Sequence, residues 1–300
     1  MSSGDRIALR GETGRVSAIR MTSRPDLREP PMILAFRGWN DGGEASTSAV
    51  AYLRDRWSAE PFADIDPEEF FDFQVTRPTV RLEAGVTRKV EWPESRFWHA
   101  SVGGRDVILF LGFEPNVRWR TFNEHILGLA RELGVGTTVT LGAFLADFPH
   151  SVETPVVGSA AGERAAEELG LSPSRYEGPT GIVGVLHDAF AKAGFSAASL
   201  WAAVPHYLPG GPNPKAALAL VRKISSLTGL PVETDTLERA AATWEGQVSS
   251  TISDNPELSA YVSQLEQAAG ERGELTEIPT GEALADELER FLRQQRGERG

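Results

Sequence analysis

Four short segments gather most of the side chains in this sequence that could do chemistry. "RGWNDGG" carries Gly38, Trp39, Asn40, Asp41, Gly42 and Gly43, and "GFEPN" carries Glu114. "ADFPHS" carries Asp147 and His150, and "VPHYLP" carries His206. Each follows an apolar run that reads as a buried strand. In an open parallel sheet the carboxyl ends of the strands line the ligand crevice. These residues are therefore candidates for one shared site, joined by Glu177 and Thr180 of "YEGPTG". At the first corner, the N–H groups of Gly42 and Gly43 would lie at a helix N-terminus, which favours an anion. The same residues also have a plainer reading. Glycine and proline belong in tight strand-to-helix turns, and Asp41 stands three residues before Glu44, a spacing that resembles a capping box. A capping carboxylate would hold the anion position itself. Asp41 is thus read first as a helix cap and second as a ligand or catalytic group.

Specific motifs do not sharpen the choice. The sequence holds no G-x-x-x-x-G-K-[ST], no G-x-G-x-x-G after a strand, no G-x-S-x-G and no H-E-x-x-H. Pro149 separates Asp147 from His150, so the two are not expected to share a helix face. His187 and Asp188 lie at an apparent helix start, where an acid is favoured by the dipole. Glu68 and Glu69 read as a solvated loop. Cysteine is absent, which removes disulfides, thiolate nucleophiles and Cys-ligated metals. No metal and no cofactor is expected.

The net charge of −12 argues against nucleic acid as a partner, because phosphates call for a basic footprint. That charge is uneven. Residues 231–300 hold 15 acids against 6 arginines, so −9 of the −12 lies there, while the first 230 hold 27 acids and 24 bases. The shift suggests a boundary near Gly229-Leu230-Pro231. The N-terminal segment has no apolar core, and no run approaches the roughly 20 apolar residues of a membrane span. The expected location is the cytoplasm, without membrane contact.

The elements that must position these residues alternate. Met32 to Phe36 and Val107 to Leu111 read as buried strands, and "VGTTVTLG" as a third. "GIVGVL" (181–186) and "AASLWAAV" (197–204) read as two more. Helices are expected over 44–57, from a Thr121–Glu124 capping box to a stop at Gly134, up to Lys192, and from Pro214 through Thr228. The stretch 70–101 reads as hairpins. Residues 1–14 and 295–300 are expected to be mobile. The pattern is a three-layer αβα domain with a mostly parallel sheet over 15–230. Beyond it, an acidic helical extension over 231–294 carries stripes at Leu258, Tyr261, Val262, Leu265 and at Leu284, Leu288, Phe291, Leu292.

Taken in order, "MILAFRGWNDGGEASTSAVAYL", "FLGFEPNVRWRTFNEHILGLARELGV", "TLGAFLADFPHS", "YEGPTGIVGVLH" and "SLWAAVPHYL" resemble the family of the second proteasome assembly chaperone, in its bacterial branch. The similarity runs from about Ile33 to about Thr228. It implies a fold related to nucleoside phosphorylases and peptidyl-tRNA hydrolases. It also implies homo-oligomers, with a trimer favoured, and protein partners. Proteasome-docking relatives often end in a hydrophobic residue, a tyrosine and one more, whereas this sequence ends "QQRGERG"; docking through such a tail is not expected. The reading favoured is a non-catalytic, assembly-chaperone-like protein. The alternative is a small-molecule enzyme of phosphorylase or hydrolase type working in the strand-end crevice.

Overall fold

The computed structural model describes residues 7–10, 16–83, 87–208 and 210–271. Twelve strands are described: β1 (Ile7–Arg10), β2 (Val16–Met21), β3 (Met32–Arg37), β4 (Glu60–Ile65), β5 (Thr79–Glu83), β6 (Thr87–Glu91), β7 (Ser95–Val102), β8 (Arg105–Phe113), β9 (Thr137–Ala146), β10 (Val156–Ala160), β11 (Ser172–Pro173) and β12 (Ser196–Pro205). The helices are α1 (Ala45–Arg56), α2 (Trp119–Glu132), α3 (Glu163–Leu169), α4 (Ile182–Lys192), α5 (Pro214–Thr228), α6 (Asp235–Ser253) and α7 (Pro256–Glu271). Ten strands form one sheet in the order β1-β2-β4-β7-β8-β3-β9-β12-β10-β11, and β5 and β6 form a second, two-stranded sheet. The four central strands, β8, β3, β9 and β12, run parallel. Antiparallel pairings of β7 with β8 and of β10 with β12 extend the sheet on either side.

Burial follows from that position. Met32 to Phe36 are all fully buried, because β3 lies at the centre with helices on both faces, and such strands read as unbroken apolar runs. On one face, α1, α5 and α6 cover Ile33, Leu109, Val139 and Leu200. On the other, α2 and α4 cover Met32, Leu34, Phe36 and Phe110. The second face is phenylalanine-rich: Phe36 meets Phe110 at 5.0 Å and Phe70 meets Phe122 at 5.1 Å between ring centroids. The three-layer αβα architecture is the one expected.

Several local expectations are corrected. "GIVGVL" is not a strand but the first turns of α4, with Ile182, Val183, Leu186 and Phe190 buried on one helical face. A short apolar run between glycines fits strand and helix equally well until its neighbours are known. The helix expected to start at Thr121 begins at Trp119, behind Arg118 in a left-handed conformation (φ 59°). Ile7–Arg10, in the stretch expected to be mobile, pairs with β2. Strands β10 and β11 and helix α3 had no sequence reading. The stripe at Leu284–Leu292 lies outside the described residues.

The extension does not stand apart. Leu237 and Ala241 of α6 belong to the core under α1 and α5. Tyr52 donates to the Glu233 carbonyl at 2.8 Å, and the Trp57 indole N–H donates to the Pro231 carbonyl at 3.0 Å.

Candidate functional site

Strands β3 and β8 are neighbours, yet β3 leads into α1 on one face while β8 leads into α2 on the other. The carboxyl ends of two such strands are where an open α/β sheet forms its crevice. Here that position holds Asn40, Asp41 and Glu114.

Asp41 is buried and turns its carboxylate onto the start of α1. One oxygen (Oδ1) accepts from the Ser46 N–H at 2.9 Å, the Ser46 hydroxyl at 2.6 Å and the Thr47 N–H at 3.2 Å; the other accepts from the Thr47 hydroxyl at 2.5 Å. Burial pushes its carboxyl above the ordinary range, against the pull of these hydrogen bonds. The capping reading therefore holds, though not through the expected box. Glu44 is itself left-handed (φ 49°) and makes no side-chain cap, and the donors lie five and six residues beyond Asp41. The two glycines serve packing. Gly43 has φ +56°, and a Cβ there would stand 3.0 Å from the Asn213 side chain and 3.2 Å from Val204. At Gly42 a Cβ would meet the Ala143 carbonyl at 3.3 Å. The anion position at α1 is thus occupied by the chain's own carboxylate.

Glu114 does for α4 what Asp41 does for α1. Its Oε1 accepts from the Ile182 N–H at 2.8 Å and from the Asn40 side-chain amide at 3.0 Å. Asn40 is 2% exposed, and its side-chain oxygen (Oδ1) has no hydrogen-bond partner among the described residues. Two glycines make the approach feasible. At Gly38 (φ +136°) a Cβ would lie 3.0 Å from Glu114 Cβ, and at Gly181 it would lie 2.1 Å from the Asn40 amide nitrogen. Three of the sequence segments, "RGWND", "GFEPN" and "YEGPTGI", therefore meet at one point. Trp39 stands 62% exposed beside them. Glu177 and Thr180 remain exposed on the loop before α4.

The other candidates form a second cluster, at the ends of β9 and β12. His206 Nδ1 lies 3.0 Å from Asp147 Oδ1, and its Nε2 lies 3.2 Å from the Tyr261 hydroxyl on α7. His150 is bound by Tyr207, whose oxygen accepts from the His150 backbone N–H at 2.8 Å and lies 2.9 Å from Nδ1. Burial pushes the Tyr207 phenol up to about 12 and holds the His150 imidazole below its ordinary value. Tyr207 therefore keeps its proton, and His150 Nε2 lies 3.0 Å from the Ser249 hydroxyl of α6. Lys215 donates to the His150 carbonyl at 2.7 Å and to Glu245 of α6 at 2.5 Å. Ser151 donates to Glu266 of α7 at 2.6 Å. The histidines thus anchor the helical extension over these strand ends.

Sequence reasoning missed the partners. Ser46 and Thr47 carry a signal, since two hydroxyl residues after an acid suit a first helical turn. Tyr207, Lys215, Ser249 and Tyr261 carry none, because their role depends on contacts that span 55 to 99 residues. Among the described residues no group of His, Asp and Glu could hold a metal ion, and no helix is long and apolar enough to cross a membrane.

The sequence profile of the PAC2 family matches residues 35–252. A Mycobacterium tuberculosis protein described as a proteasome-assembly chaperone homologue is 45% identical, with 77% of this chain and 99% of that one aligned at a TM-score of 0.70. A PAC2 family protein from Streptomyces avermitilis is also 45% identical, over 78% of this chain and 99% of its own, at a TM-score of 0.72. An archaeal proteasome activator from Pyrococcus furiosus shares the fold at 19% identity, with 78% and 97% of the two chains covered and a TM-score of 0.62. A search of curated proteins returns no match. The motifs that converge on Glu114 lie inside the matched region, and the chain belongs to the PAC2 family.

Proposed function

We propose that this protein works as an assembly-chaperone-like factor that binds other proteins, and not as an enzyme. One observation carries the reading: the strand ends where this architecture keeps a substrate crevice are filled from within. Asp41 occupies the start of α1 and Glu114 the start of α4. Tyr261 and Ser249 of the extension lie against His206 and His150. A carboxylate bound to a helix N-terminus repels the phosphate or carboxylate a substrate would bring. The 45% identical relative described as a proteasome-assembly chaperone homologue supports proteasome subunits as the class of partner. On this reading the protein acts in the cytoplasm as a homo-oligomer, with a trimer favoured. Its body spans 15–230 and an acidic extension follows over 231–294, whose described helices α6 and α7 lie over the ends of β9 and β12.

The phosphorylase or hydrolase reading would need the crevice to open. A thermal-shift panel of nucleosides, nucleobases and phosphate tests this directly. A ligand at 100 times its dissociation constant adds about 2.7 kcal/mol of stability. The expected result is no shift with any member of the panel; a saturable rise with one of them would favour the enzyme.

A further inference from the structure

Four of the seven exposed large apolar side chains among the described residues lie together. Val80, Leu82, Val90 and Trp92 are 50%, 61%, 51% and 49% exposed, and all lie on or beside the β5–β6 hairpin. This hairpin is a two-stranded sheet of its own, with Val80 opposite Val90 and Leu82 opposite Arg88. Side chains alternate between faces along a strand, so Val80, Leu82 and Val90 share one face with Arg88. A two-stranded ribbon with open edges is marginal alone in water, and a contiguous apolar face of this kind marks a contact surface.

Charge says what covers it. The arm is basic in an acidic molecule: Arg81, Arg88 and Lys89 outnumber Glu83 and Glu91 by one, and Arg77 stands just before it. At its root lies a cavity of about 330 Å³ with the opposite balance, where Asp64, Asp66, Glu68 and Glu94 outnumber Arg20 and Arg96 by two. The apolar wall of that cavity includes Phe73 and Trp92, which meet edge to face at 4.8 Å. The arm's own apolar face stays exposed, so it does not cover its own root.

Resting on the homo-oligomer reading above, we propose that the β5–β6 arm docks on the acidic, aromatic root of a second copy of this chain. Arm and root are different surfaces, so the contact is head to tail. Each copy gives one arm and receives another, and where the rotation between successive copies closes, the set forms a ring such as the trimer favoured above.

Light scattering over a micromolar concentration series tests this with two surface variants, Leu82→Asp on the arm and Glu68→Lys at the root. Each should keep the wild-type circular dichroism spectrum and a single cooperative melting transition, and weaken association at least tenfold. Mixed together they should form pairs of twice 32.5 kDa and nothing larger, because one intact arm meets one intact root. An oligomer unchanged by Leu82→Asp, a loss with Leu82→Asp but none with Glu68→Lys, or a mixture that stays monomeric would each overturn the docking. A monomeric wild-type chain would overturn the homo-oligomer reading along with it.

Discussion

Two carboxylates in this protein do structural work in the place where catalysis was most to be expected. Asp41 satisfies two backbone N–H groups and two hydroxyls at the start of α1. Replacing it by alanine leaves those donors buried and unpaired, so Asp41→Ala should lower unfolding stability by about 2 kcal/mol in urea titrations. Asp41→Asn retains an acceptor oxygen and removes a charge that burial already disfavours. It should lose less than about 1 kcal/mol. Equal losses in the two variants would show that the carboxylate's charge, not its capping, holds the corner. Glu114 is linked to two segments at once, and Glu114→Ala should cost about 2–3 kcal/mol by orphaning the Ile182 N–H and the Asn40 amide. Gly181→Ala, at ordinary φ, should destabilise for a different reason, since its Cβ would stand 2.6 Å from Glu114 Oε1. A Gly181→Ala protein as stable as wild type would mean that the junction is loosely packed. At this scale the sequence was partly legible. Asp41 read as a cap from its position before a helix, while the capping role of Glu114 was hidden, because the helix it caps begins 68 residues later.

The elements were legible where periodicity and burial agree. β3 announces itself as an unbroken apolar run, and α2 by Phe122, Ile126 and Leu129 on one face. They were illegible where one pattern serves two structures. Residues 181–186 are apolar in nearly every position, and only the packing of α4 against β9 and β12 makes them helical. That helix and its neighbours carry a pH dependence. Burial holds the imidazoles of His125 on α2, His150 after β9 and His187 on α4 below their ordinary value. At these three rings the unfolded chain therefore binds more protons than the folded one below about pH 6.5. Their contribution to stability is complete above that pH and falls as the pH drops through the lowered folded values. Urea midpoints measured from pH 8 down to pH 5 should decline below about pH 6.5, and His187→Gln should flatten the decline. A midpoint that rises on acidification would contradict the burial of these rings in their neutral form.

The molecule as a whole joins an α/β body to helices that cover the ends of β9 and β12. The charge shift near Pro231 was visible in the sequence, but the destination of the acidic helices was not. Their apolar stripes say that a surface must exist and leave open which one. The structure supplies it in Leu237 and Ala241 beneath α1 and α5, and in Tyr261 against His206. Among the described residues Trp39 at the corner and the apolar face of the β5–β6 arm stay outward. The most direct test of that account is native mass spectrometry of the purified protein mixed with proteasome α subunits from the organism that encodes it. The account predicts a complex of fixed stoichiometry that forms without nucleotide and persists in the Asp41→Asn variant. No complex at micromolar concentrations, together with phosphorolysis or hydrolysis of a nucleoside by the same preparation, would contradict it.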